Sequence, residues 1–124
     1  MEKNKSEFGE FFANKRREKG ISLRNMAKYL GYSAPFWSDV EKGRANPPHY
    51  EKLATIAEIL RLADEDKIRM SDLAGHERSA VAPDVDKYLT ENYFVISGVR
   101  QARDLGASES DWQKCIKIFQ EKNA

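Results

Sequence analysis

The side chains best suited to catalysis or metal binding are few in this sequence and show no familiar spacing. The 124 residues include one cysteine, Cys115, and two histidines, His49 and His76. His76 has no cysteine or carboxylate at zinc-ligand spacing, and no nucleophile–base pair or phosphate-binding glycine loop is recognisable. The run 64–66 (Asp-Glu-Asp) is typical of a helix N-terminus, where the helix dipole favours carboxylates. We therefore expect no enzymatic activity, no metal and no cofactor, and a buried Cys115.

Lysine and arginine are the remaining residues with a clear chemical use, because they bind the phosphates of nucleic acids. The net charge of the whole chain is only +1. That charge is unevenly distributed, since residues 1–61 carry +4 and residues 62–124 carry −3. The first half is therefore predicted to bind a polyanion if its positive groups share one face.

The elements that position these side chains are all predicted to be helices. Gly and Pro recur at short intervals, and no segment alternates apolar and polar residues as a strand does. Ser22, Ser33 and Ser108 are typical N-caps, and Gly31 and Gly43 are typical helix terminators. The predicted helices span residues 6–19, 23–30, 34–42, 48–60, 65–74, 83–90, 93–105 and 109–120, and Ile68 and Leu73 are expected to face inward in the fifth.

The length of the chain predicts one compact domain with an appendage. We place the domain at residues 1–75, a polar linker without periodicity at 76–82, and a helical extension at 83–124. No apolar run approaches the roughly 18 to 20 residues that cross a bilayer, and a single cysteine is compatible with a reducing compartment. These features predict a cytoplasmic protein that does not bind membranes.

The most informative pattern is a pair of short helices separated by Gly31, Tyr32 and Ser33. The second helix, residues 34–42, is short for a bundle element and narrow enough for the major groove, which is roughly 12 Å wide. Ala27 and Gly31 are small, so the two helices can cross closely. The pattern predicts a helix-turn-helix whose second helix enters duplex DNA.

The same stretch resembles the phage-repressor-like helix-turn-helix regulators, also called the XRE or Cro-like family. The residues that carry the resemblance are 21–33, 36–44 and 46–48, within a similarity over about residues 7–73. The resemblance implies an all-α fold, with a five-helix DNA-binding domain followed here by the C-terminal helical extension. It also implies a DNA-binding transcriptional regulator, and we expect a repressor.

The resemblance also assigns roles to individual positions. Eleven residues fall at DNA-binding positions: Ser22 and Arg24 at the backbone-facing start of the second helix, Ser33, Ala34, Pro35, Phe36, Ser38 and Asp39 on the recognition surface, and Lys42, Arg44 and His49 at phosphate or groove-edge positions. Arg16 and Glu41 match a structural ion pair that ties the first helix to the third.

Each of these assignments has a simpler alternative. Phe36 is either a core aromatic or a side chain that presses on thymine methyl groups. Arg24, Lys42 and Arg44 are either solvated surface charges or phosphate ligands. A histidine such as His49 is more often a surface or capping side chain than a ligand.

The recognition helix departs from the usual base-reading chemistry. It lacks the Arg that reads guanine and the Asn or Gln that reads adenine. Asp39 can accept a hydrogen bond from cytosine N4, but its charge also repels phosphate. We therefore expect selective but weak binding, and the residues do not specify the operator.

The partners expected from the sequence are double-stranded DNA and a second copy of the chain. The extension adds an alternative, because its apolar residues are sufficient for a hydrophobic patch that binds a partner protein, unless they pack on the first domain or on each other. Similar regulators with such a tail accompany a zinc metallopeptidase or a toxin in mobile-element or stress systems. An antitoxin-like or metallopeptidase-partnered interaction module is therefore the second function that the resemblance implies.

Overall fold

The computed structural model describes residues 6–123, which form eight α-helices and no strand. The all-α prediction is confirmed for this range. The helices are α1 (Glu7–Glu18), α2 (Leu23–Leu30), α3 (Ala34–Lys42), α4 (Tyr50–Leu60), α5 (Asp64–Glu77), α6 (Pro83–Glu91), α7 (Phe94–Asp104) and α8 (Glu109–Lys122).

Side-chain caps and a glycine set the ends of the helices around the predicted helix-turn-helix. The Ser22 hydroxyl accepts a hydrogen bond from the Asn25 amide at 3.1 Å, and the Ser33 hydroxyl accepts one from the Phe36 amide at 3.3 Å. Gly43 ends α3 in the left-handed conformation, with φ of 83°, which glycine adopts without a side-chain clash. The predicted bounds of α3 are therefore confirmed.

The core lies among the first five helices. Phe8 and Phe12 of α1 and Trp37 of α3 are fully buried, and the Phe12 and Trp37 ring centroids lie 5.7 Å apart. Gly9 allows this packing, because a Cβ at that position would lie 2.1 Å from the Glu41 carbonyl oxygen. The backbones of α1 and α3 therefore touch directly, and α3 has its inner face fixed against α1.

Six helices differ from their predicted bounds: α1, α6 and α7 by no more than one residue at either end, and α4, α5 and α8 by two or three at one end. α4 begins at Tyr50 instead of residue 48, since the extended backbone of His49 forms its N-cap. α5 continues to Glu77, three residues past the predicted end. Leu73 is buried as expected, whereas Ile68 is 57% exposed, so its predicted inward orientation is wrong.

Contacts divide the chain into two units, which we call unit 1, ending at Lys87, and unit 2, beginning at Tyr88. The segment after α5 folds back within unit 1, where a Cβ on Gly75 would lie 2.7 Å from the Ala82 Cα. The Ser71 hydroxyl then donates to Asp84 Oδ1 at 2.9 Å. Unit 1 thus includes the segment predicted as a linker, and the division into a 1–75 domain and an 83–124 extension stays a prediction. The first five residues of that domain and Ala124 lie outside the described residues.

Unit 2 contains no buried residue between positions 88 and 123. A capping box starts α8, with Ser108 accepting from the Asp111 amide and the Asp111 carboxylate accepting from Ser108. The hydrogen bonds that the Ser108 amide and hydroxyl donate to this carboxylate lower the pKa of Asp111 below its usual value. Cys115 is exposed on α8, so the prediction of a buried thiol is wrong. Across the described residues, no helix is long and apolar enough to cross a membrane.

Candidate nucleic-acid interface

The corner between α2 and α3 is built from two residues with positive φ and one buried indole. Gly31 has a φ of 81° and Tyr32 a φ of 63°. The Trp37 side chain is fully buried, and its Nε1–H donates to the Gly31 carbonyl at 2.9 Å. Because this hydrogen bond satisfies the only polar group of the indole, Trp37 fixes α3 against the corner without leaving a buried donor unpaired.

The outer face of α3 is accessible. Trp37 and Val40 are buried on the inner face, whereas Pro35 and Lys42 are exposed on the opposite side. Between these extremes, four residues at predicted recognition positions are half-buried: Ala34, Phe36, Ser38 and Asp39. None of the recognition positions is enclosed in the core.

Phe36 lies at the edge of the core and is half-buried, and its predicted contact with thymine methyl groups stays a prediction. Its ring packs edge-on against buried Trp37 at 5.2 Å and against exposed Tyr32 at 4.9 Å. The side chain thus closes the edge of the core and retains an accessible part.

The predicted phosphate ligands are exposed. Arg24 and Ser22 lie at the start of α2, Lys42 at the end of α3, and Arg44 just beyond it. His49 is also exposed and makes no capping hydrogen bond with its side chain. These side chains are available to a ligand, although their assignment to DNA stays a prediction.

Arg44 and Asp39 form an ion pair that the sequence prediction missed. The Arg44 guanidinium lies 3.7 Å from Asp39 Oδ1, and the Arg44 amide donates to the Asp39 carbonyl at 2.8 Å. Asp39 therefore has a positive neighbour that offsets its repulsion of phosphate. A charge pair five residues apart across a helix end was the only signal in the sequence.

Lys52 is a second residue that sequence reasoning missed. Its Nζ donates to the Leu30 carbonyl at 2.5 Å and lies 5.1 Å from the centroid of the Tyr32 ring. The carbonyl belongs to the last turn of α2, where the helix dipole favours a cation. No local pattern links Lys52 to the corner, because the two are brought together only by the packing of α4.

The ion pair between Arg16 and Glu41 is present, as the resemblance implies. Arg16 Nε–H donates to Glu41 Oε2 at 3.0 Å, and a second guanidinium nitrogen donates to Oε1 at 3.3 Å. The third contact of the guanidinium is to the Ile21 carbonyl at 3.0 Å. The Arg16 and Glu41 side chains are only 10% and 12% exposed, so the pair holds α1, α3 and the α1–α2 turn together.

Two further observations concern ligands other than DNA, namely metal ions and small molecules. No group of three or more His, Cys, Asp or Glu side chains there is arranged to hold a metal ion. A cavity of about 490 Å³ lies between α4 and α5, with Leu53, Ile68 and Met70 among its lining residues. It is not lined by any residue of α2 or α3.

A fold in which a short, anchored helix follows a tight corner defines the helix-turn-helix class. The model of a helix-turn-helix domain family matches residues 7–69, which is half of the chain. The chain belongs to this helix-turn-helix family, and the match agrees with the XRE-like regulators that residues 21–48 resemble. Domains of this class bind DNA, so the protein is a DNA-binding regulator in general terms. Neither the curated proteins nor the solved structures gave a match to the chain.

Proposed function

We propose that the protein is a cytoplasmic, non-enzymatic transcriptional repressor that inserts α3 into the major groove of a specific duplex site. The observation that carries the proposal is the two-sided environment of α3. Trp37 and Val40 anchor its inner face in the core, while its outer face is accessible from Pro35 to Lys42. In this proposal α1 to α5 form the five-helix phage-repressor-like arrangement, and occupancy of a promoter site blocks transcription.

The proposed interface divides into positioning and reading residues. Ser22, Arg24, Lys42, Arg44 and His49 contact phosphates or the groove edge, which sets orientation without reading sequence. The base edges are read by the recognition surface of α3: Ser33, Ala34, Pro35, Phe36, Ser38 and Asp39. The Ser22 and Ser33 hydroxyl oxygens accept helix-capping hydrogen bonds, which leaves each hydroxyl proton free for a DNA acceptor.

A homodimer is the second part of the proposal. Two copies of α3 would occupy successive major grooves about 34 Å apart on a palindromic or near-palindromic site. Unit 2 supplies the pairing surface, since Trp112, Ile116 and Phe119 of α8 share one helical face and are 43%, 50% and 63% exposed. Glu109 and Asp111 lie at the start of α8 and Lys117 and Lys122 in its second half, so two antiparallel copies would place opposite charges side by side.

The decisive measurement is the salt dependence of binding to duplex DNA. If Arg24, Lys42 and Arg44 of each protomer meet phosphates, a dimer neutralises about six phosphates, and the logarithm of affinity falls against the logarithm of salt with a slope of about −5. Arg24→Ala should reduce the steepness by about two units in the dimer, because one phosphate contact is lost per protomer. Arg69→Ala is a matched change at an exposed position of α5, and it should leave the slope unchanged. A slope near zero for the unaltered protein would exclude this mechanism.

A second candidate function is a protein-interaction module of the antitoxin-like or metallopeptidase-partnered kind. The exposed apolar face of α8 also favours it, because such a face fits a partner protein as well as a second copy. Light scattering of the purified full chain separates the two. A dimer whose association is broken by Trp112→Ala supports self-pairing. A full chain that is monomeric at micromolar concentration supports a partner protein as the ligand of this face.

A further inference from the structure

Two aromatic side chains form an apolar surface beside the recognition face of α3, which we call the aromatic edge: Tyr32 and Phe36. Tyr32 is 64% exposed and Phe36 is half-buried, and their ring centroids lie 4.9 Å apart. Phe36 precedes Asp39 by three residues, so the two are neighbours on the surface of α3. The aromatic edge therefore borders the face that the proposed function directs at DNA.

The aromatic edge is held from behind at several points. The Phe36 ring packs nearly perpendicular to buried Trp37, at 5.2 Å and 83°. Tyr32 is held by its position in the left-handed corner and by Lys52, whose Nζ lies 5.1 Å from the ring centroid. Lys52 is itself anchored on the Leu30 carbonyl. A surface fixed in this way keeps its shape on binding, so little conformational entropy is lost there.

The chemistry of the aromatic edge restricts what it recognises in a major groove. The Phe36 ring has no polar group to pair with a base edge, and the only apolar group on the groove side of unmodified base pairs is the C5-methyl of thymine. The same methyl occurs on 5-methylcytosine. The outer face of α3 carries no Arg, Asn or Gln to read bases, and Asp39 is partly engaged by Arg44 at 3.7 Å.

We propose that the aromatic edge is a binding site for the C5-methyl group of a pyrimidine, so that the preferred DNA site depends on methyl groups at fixed positions. Phe36 contacts the methyl, and Tyr32 is a positioning residue that acts through Phe36. This inference rests on the proposed DNA-binding function and adds the chemical group that is read.

The experiment begins with the full chain and a pool of random duplexes, from which the preferred site is selected and sequenced. Each thymine of that site is then replaced in turn by deoxyuridine, which removes only the methyl, and each cytosine by 5-methylcytosine, which adds one. At one or two positions uracil should lower the affinity about fourfold, the factor expected for one methyl-sized apolar group. A gain only with 5-methylcytosine would identify the methylated base as the source and also support the site.

Variants assign the effect to the aromatic edge. Phe36→Ala should bind thymine and uracil duplexes with equal affinity. Tyr32→Gly suits the left-handed backbone, and it should reduce the thymine-to-uracil affinity ratio. Tyr29→Ala removes another aromatic side chain, 63% exposed on α2, and should leave the ratio intact. Thermal melting of each variant verifies folding.

The outcomes separate this inference from the proposed function. Absence of binding to every duplex would overturn both. Specific binding that is insensitive to uracil and to 5-methylcytosine at every position would overturn the methyl site but not the proposed DNA-binding function. Methyl dependence that persists in Phe36→Ala would also overturn the site, because the methyl would then be read elsewhere.

Discussion

The two carboxylates of α3 have opposite surroundings. Glu41 is 12% exposed and makes two hydrogen bonds to Arg16, whereas Asp39 is 48% exposed and lies 3.7 Å from Arg44. Removal of one partner of a buried ion pair strongly destabilises a protein, because the remaining charge has no solvent to stabilise it. An exposed pair contributes at most about 1 kcal/mol. Glu41 therefore stabilises the fold, and Asp39 is accessible for recognition of DNA.

Glu41→Ala should lower the free energy of unfolding by about 3 to 5 kcal/mol, since the Arg16 guanidinium would be left largely buried without its carboxylate. Thermal and urea denaturation of the full chain, followed by circular dichroism, measure the change. Asp39→Ala is the matched control on the same helix, with an expected loss below about 1 kcal/mol. Similar melting temperatures for the two variants would contradict the structural role of the Arg16–Glu41 pair.

Asp39→Ala should also change DNA binding in two ways. Loss of the carboxylate removes a hydrogen-bond acceptor for cytosine N4, so preference at one base position should weaken. Release of Arg44 from its pair should raise affinity for unrelated duplexes, because the guanidinium becomes free for phosphate. Selection from random duplexes and binding to a fixed unrelated duplex measure the two effects. Ser38→Ala, which frees no cation, should alter preference alone, and tighter unspecific binding by that variant would contradict the role given to Arg44.

At the scale of elements, the placement of α3 depends on direct backbone contact with α1. A Cβ on Gly9 would lie 2.1 Å from the Glu41 carbonyl oxygen and 2.8 Å from its Cα. Backbone atoms of a helix cannot move aside as a flexible side chain does. Any side chain at position 9 therefore has to push α1 and α3 apart.

Gly9→Ala should destabilise the protein by about 1 to 3 kcal/mol or more, despite the better helix propensity of alanine. For a domain of this size, that corresponds to a melting temperature lower by at least about 4 °C. Asn14→Ala is the matched control, because it also gives alanine in α1, but on the exposed side of the helix. A Gly9→Ala variant as stable as this control would show that α1 and α3 tolerate a wider separation.

Local chemistry explains which elements were predictable from the sequence. The bounds of α3 follow from Ser33, whose hydroxyl accepts a hydrogen bond from the Phe36 amide, and from Gly43, which is free to adopt a positive φ. The inward orientation of Ile68 was wrongly predicted, because helical periodicity does not reveal that this part of α5 borders a solvent-accessible cavity beside α4. Lys52 was missed for a related reason, since its contact with Leu30 joins residues 22 positions apart in sequence.

The candidate site was predictable to a similar extent. The resemblance pointed to the positions on α3, and the structure leaves them accessible. The sequence did not predict the pairing of Asp39 with Arg44 or the contact between the Tyr32 and Phe36 rings, because each depends on how the chain turns at an end of α3. Residue types fixed the chemistry available, and tertiary packing decided which groups meet.

At the scale of the whole molecule, the two units differ in what holds them together. Unit 1 contains the buried aromatic and aliphatic core, whereas unit 2 has no buried residue among positions 88–123. Apolar side chains of this size stabilise a fold mainly when they leave water. Unit 1 is therefore expected to fold alone, while unit 2 needs a covering surface, which we propose to be a second copy.

A fragment ending at Lys87 should remain folded and monomeric, and it should bind DNA with a slope of about −3 because only three phosphates are neutralised per molecule. Light scattering, thermal melting and binding at several salt concentrations compare the fragment with the full chain, which we propose to be a dimer. A dimeric fragment would contradict the assignment of self-association to unit 2.

The position of the cut matters, because α6 begins inside unit 1. Pro83 is buried, the Ser71 hydroxyl donates to Asp84, and Lys87 Nζ lies 5.2 Å from the Tyr50 ring centroid. A fragment ending at Ala82 loses these contacts, including the hydrogen bond between the Ser71 hydroxyl and the Asp84 carboxylate, and a hydrogen bond to a charged group contributes about 1 to 3 kcal/mol. The shorter fragment should therefore melt at a clearly lower temperature than the longer one. Equal melting temperatures would place the end of the folding unit before α6, close to the boundary predicted from the sequence.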